Sequence, residues 1–124
     1  RSESTRMTVE ASIYTLLRSM VADRVYPDVA PLGTTLPYIT YQQVGGEALS
    51  FVDNTLPSKR NGRFQVNVWS NSRQNATTLA VLIENAFYTT TAMQARPIGG
   101  PVALYDEETN YYGSTQDFSI WSDR

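Results

Sequence analysis

The 124-residue chain has few residues on which to build catalytic or metal chemistry, because it holds no histidine and no cysteine. That removes the commonest general base, the commonest transition-metal ligand, thiolate zinc sites, cysteine nucleophiles and disulfides. Carboxylates, hydroxyls and one small cationic cluster are left. Asp106, Glu107 and Glu108 stand in a row, and carboxylate oxygens suit hard cations such as magnesium or calcium. Neighbouring residues of an extended chain point in opposite directions, so three in succession do not converge on one ion; a solvated turn is the better reading. Lys59, Arg60 and Arg63 lie in "SKRNGR", a basic stretch of the kind that can reach phosphates. Three charges fall well short of a nucleic-acid footprint, so this reads as a protein-contact or solvated loop. Ser and Tyr remain as nucleophiles, but no suitable base, glycine-rich phosphate loop or nucleophile elbow accompanies them. "NAT" at Asn75–Thr77 fits a glycosylation acceptor but falls inside an expected helix. The expectation is a protein that is not an enzyme, with no catalytic residue, cofactor or metal.

Composition sets the frame for those residues. Ten Lys and Arg against twelve Asp and Glu give a net charge of −2, which supplies no general attraction to nucleic acid or anionic lipid. The 41% apolar content and 18% charge belong to an ordinary folded domain. Apolar windows such as Leu79–Ile83 are far shorter than the roughly 20 residues of a spanning helix, and the N-terminus has no signal-peptide pattern. Membrane insertion and export are therefore not expected. "RSESTR" precedes Met7, so residues 1–6 read as a disordered upstream remnant and residues 7–124 as one domain.

Along the chain, "TVEASIYTLLRSMVAD" spaces Val9, Ile13, Leu16, Leu17, Met20 and Val21 for a helix of about four turns, with Thr8 as N-cap and an end near Asp23. A proline-rich loop follows, with a short extended piece at Val25–Tyr26. Residues 37–44, "PYITYQQV", alternate as a strand, and a weaker strand signal covers Ala48–Val52. Residues 47–62 are expected to be mainly an exposed loop that orders on binding. In "RFQVNVW", residues 63–69, Phe64, Val66 and Val68 share one face. Ser72 then caps a helix whose stripe is Ala76, Leu79, Ala80, Ile83, Ala86 and Phe87. Further strands are expected at Val102–Asp106 and Gln116–Ser122, with an intermediate one at Asn110–Tyr112. The order α-β-β-β-α-β-β predicts an α+β fold, with two main helices packed on a single antiparallel or mixed β-sheet. Tyr38 and Tyr41 fall on opposite strand faces, as do Phe118 and Trp121, so both sheet faces carry apolar surface. Packing within the monomer and contact with a partner both remain open explanations.

"VEASIYTLLRSMVADRVYPDVAP", "LPYITYQQV" and "GRFQVNVWSNSRQNATTLAVLIENAF" together resemble the tail-completion family of long-tailed phages, the tail terminators or tail-to-head joining proteins, often known only as a domain of unknown function. The likeness spans about residues 7–122 and is most specific in the strand and helix of residues 63–87. It implies a virion protein, assembled in the bacterial host cytoplasm, that forms a hexameric ring on the tail tube and stops its growth. The implied partners are the tail-tube protein, the head-completion protein and further copies of itself, with no membrane and no sequence-specific nucleic acid. Neighbouring roles are a head–tail connector, a minor tail protein or, outside phages, a protein-binding adaptor. A ring uses heterologous contacts, so Lys59, Arg60 and Arg63 are expected to meet Asp106, Glu107 or Glu108 of a neighbour or of a tail protein.

Overall fold

The computed structural model describes residues 8–48 and 58–123. Helix α1, Val9–Leu17, starts where Thr8 Oγ1 accepts a hydrogen bond from Ala11 N at 3.1 Å. Ile13 and Leu17, four residues apart on one face, are fully buried. The helix tightens into a 3₁₀ turn at Arg18–Met20, and Ala22 and Asp23 then take left-handed backbone conformations that end it. The Arg18–Asp23 ion pair at 2.8 Å fastens that corner.

Five strands form one mixed sheet in the order β1-β2-β3-β5-β4: β1 Val25–Pro27, β2 Tyr38–Gly45, β3 Lys59–Ser70, β4 Gln94–Asp106 and β5 Tyr111–Asp123. β1 runs parallel to β2, and all other pairs are antiparallel. The expected α-β-β-β-α-β-β order stands, with Val25–Pro27 as its first strand. The weak strand signal at Ala48–Val52 lies, apart from Ala48, outside the described residues, as do residues 1–6.

Three boundaries differ from the sequence reading. β3 begins at Lys59, so Lys59, Arg60 and Gly62 belong to a strand and not to a loop; Asp123, Ser122 and Ile120 of β5 pair with them, and the ladder overrides weak local propensity. β4 begins at Gln94, although Pro97, Gly99, Gly100 and Pro101 interrupt its pattern. An edge strand tolerates proline, and the extra residues are absorbed where Ile98 pairs with Asp117 but Val102 already pairs with Thr115. The two C-terminal strand signals belong to one continuous β5.

Helix α2, Arg73–Thr89, is capped by Ser72, whose Oγ accepts from Asn75 N at 3.1 Å. Its stripe of Ala76, Leu79, Ala80, Ile83 and Phe87 is buried against the inner sheet face. That face presents Ile39 and Tyr41 from β2, Phe64, Val66 and Val68 from β3, and Phe118 and Ile120 from β5. Phe87 and Phe118 stack with ring centroids 4.2 Å apart. Both helices contribute to this single core, so one layer of helices lies on one side of the sheet.

Candidate assembly surfaces

The second sheet face has no helical layer among the described residues, and its aromatic groups pack on the sheet itself. Trp69 of β3 lies over Gly113 of β5, where a β-carbon would come within 2.7 Å of the indole. Tyr38 and Tyr111 meet edge to face at 6.4 Å beside it. Burial, then the neighbouring Tyr111 and Asp106, push the Tyr38 hydroxyl pKa upward. The middle of the face is polar, with Asn67 Nδ2 donating to Thr40 Oγ1 at 3.4 Å. Among the described residues, apolar groups on both faces therefore do not make a sheet packed on both faces.

The six charged candidates separate into two groups. Lys59 Nζ contacts Asp123 Oδ1 at 2.7 Å, and Arg63 Nε contacts Asp117 Oδ2 at 2.8 Å. Arg60 is exposed opposite Ser122 and has no ion-pair partner among the described residues. It lines a cleft formed by the start of α1, the end of α2 and the adjoining ends of β3 and β5. Asp106 ends β4, and Glu107 and Glu108 occupy the turn to β5. Asp106 Oδ1 accepts from Glu108 N at 3.0 Å, its carbonyl accepts from Asn110 N at 2.8 Å, and Asn110 takes a positive φ of 60°. The acidic turn is thus a built corner, with Glu107 and Glu108 exposed and Asp106 half-buried. It adjoins Tyr111 and Tyr112, at the opposite end of β5 from Asp123, so the structure does not bring the basic and acidic groups together within one chain. Among the described residues no group of three or more carboxylates could hold a metal ion. Among the described residues no helix is long and apolar enough to cross a membrane.

The sheet edges carry what the sequence reading missed. At the β4 edge, Gln116 Nε2 donates to both Glu84 Oε2 and Gly99 O at 2.9 Å, tying the irregular segment of β4 to α2. Val81 and Tyr88, three before and four after Glu84, share its flank of the helix. Both are exposed, as are Ile98 and Val102 of β4. At the opposite edge, the loop between β1 and β2 presents Val29 at 78% exposure and Leu32 wholly in solvent. The signal is large aliphatic residues inside proline- and glycine-rich stretches, Val29 and Leu32 in "PDVAPLG" and Ile98 in "RPIGGP".

A third arrangement holds the β4–β5 hairpin. Arg73, at the start of α2, donates to Gly113 O at 2.8 Å and to Leu104 O at 2.5 Å, with its guanidinium 5.5 Å from the centre of the Tyr112 ring. These surfaces offer ionic, aromatic and aliphatic contact, which is the chemistry of assembly. The sequence pattern of the family described as Tail completion protein gp17 matches residues 11–123, and the chain belongs to that family. Membership makes it a structural protein of phage tails. Among solved structures, a chain of the "Virion of native gene transfer agent (GTA) particle" shares the fold, with a TM-score of 0.59 and 17% identity, over 94% of this chain and 95% of that one. No curated protein matches the sequence.

Proposed function

We propose that this protein caps the tail tube, ends its polymerisation and joins tail to head as a hexameric ring, without catalysis. Family membership over residues 11–123 carries the reading. Its direct partners would be the tail-tube protein, the head-completion protein and its own copies, meeting during assembly in the host cytoplasm. The two unlike sheet edges supply what a ring needs, since heterologous contacts join different surfaces of successive subunits.

The charged groups have a place in this reading. The acidic turn and Arg60 lie toward opposite ends of the β3–β5 ladder, separated by roughly 35 Å at about 3.3 Å per residue. A neighbour displaced along the strand direction, or a tail protein at one end of the ring, would bring opposite charges together. Arg60 is the freest of the three cations, because Lys59 and Arg63 have intramolecular partners. Replacing Lys59 and Arg60 by glutamate is expected to lower assembly and infectivity; unchanged assembly would dismiss the charge pairing.

The whole reading is tested in a phage lacking this gene. Tails of uncontrolled length and heads without attached tails are expected, and both defects should be restored by the intact gene in trans. Tails of normal length that fail only to attach would move the role to a head–tail connector.

A further inference from the structure

We infer that the Val29–Leu32 knob of one subunit seats against the β4 edge of the next copy, on the sheet face away from α2. This rests on the ring reading above and specifies its lateral contact. The knob is preorganised: Val29 N donates to Pro27 O at 2.7 Å, Thr34 N to Pro31 O at 3.1 Å, and Arg24 Nε to Pro37 O at 2.9 Å. A leucine held wholly in water on a fastened loop is poised to bind at little further ordering cost. Its counterpart is the exposed aliphatic pair Ile98 and Val102, which share one face of β4 through their pairing with Asp117 and Thr115. The two surfaces lie by β1 and β4, the opposite edges of one sheet, so a contact between them is head to tail and can propagate around a ring.

Charge selects a second copy as the occupant. Asp28 stands at the base of the knob, and Arg96, opposite Ser119, stands on the same face of β4 as Ile98 and Val102. Neither has an ion-pair partner among the described residues, whose ion pairs are Arg18–Asp23, Lys59–Asp123 and Arg63–Asp117. Seating the knob brings Asp28 toward Arg96 of the neighbour, giving the apolar contact a complementary charged rim.

The absence of cysteine from the chain makes cross-linking a direct test. L32C and V102C chains are mixed at high concentration and oxidised, alone and on tail-tube ends. The mixed disulfide should exceed either homodimer about tenfold, and a chain carrying both substitutions should form a ladder that closes at ring size. D28R should suppress the cross-link, and R96E on the other partner should restore it, with unchanged melting of each chain as the folding control. Equal yields of the three disulfides would overturn the pairing. Rings on tube ends without the cross-link would also overturn it while leaving the capping role intact, whereas the absence of both rings and cross-links would remove both. Loss of tube binding by L32D chains, where L32C and V102C chains form no mixed disulfide, would assign the knob to the tube subunit and reject this proposal.

Discussion

A β-carbon at position 113 would lie 2.7 Å from Cε3 of Trp69, so glycine is required there for the indole to lie flat across β5. Gly113→Ala is expected to displace the ring and cost about 1–3 kcal/mol, read as a lower denaturant midpoint with red-shifted tryptophan emission. Tyr41 behaves differently, because its ring is buried in the core while its hydroxyl faces Glu10 and Asp28. Burial first, then Glu10 by charge and hydrogen bonding, and then Asp28 raise its pKa above the ordinary tyrosine value. The folded chain therefore keeps this proton at pH values where an unfolded tyrosine loses it. The contribution is intact below about pH 10 and disappears as pH climbs through the folded-state pKa. Urea midpoints measured from about pH 8 to pH 11 should fall more steeply in the parent than in Tyr41→Phe. Parallel curves would show that Tyr41 is not a principal source of the alkaline loss.

At the scale of elements, α2 does two jobs that separate substitutions can resolve. Its buried face carries Phe87, stacked on Phe118, and Phe87→Ala is expected to cost about 3–5 kcal/mol in global stability. Its first residue, Arg73, instead ties the β4–β5 hairpin through two carbonyls. Arg73→Ala should cost about 1.5–3 kcal/mol and show faster amide exchange in β4 than in β2. Uniform exchange changes across the sheet would contradict a local clamp. The elements legible in the sequence were those whose own side chains stated their periodicity: α2 with its Ser72 cap, the Phe64–Val68 alternation, and α1 with Thr8. The first turns of β3 and most of β4 were not legible. Most of their residues are polar, proline or glycine, and partners on β5, distant in sequence, place them in the sheet. For the same reason "SKRNGR" read as a loop, although two of its three cations face carboxylates across the ladder.

For the whole molecule, the sequence showed a chain poor in reactive groups and rich in half-buried aromatics, and the fold places its exposed aliphatic groups mainly near the two sheet edges. A partner's contact surface is hard to read from one chain, because a solvent-facing leucine and a leucine awaiting a neighbour have the same pattern. Among the described residues the helices lie on one side only, and the aromatic groups of the other face pack on the sheet itself. Under the proposed function such a domain acts by occupying the end of a tube. The direct measurement is electron microscopy of tail-tube subunits polymerising with the purified protein present in small proportion. Shortened tubes, each bearing a ring at one end, are expected. Tubes of undiminished length with bare ends would contradict that function.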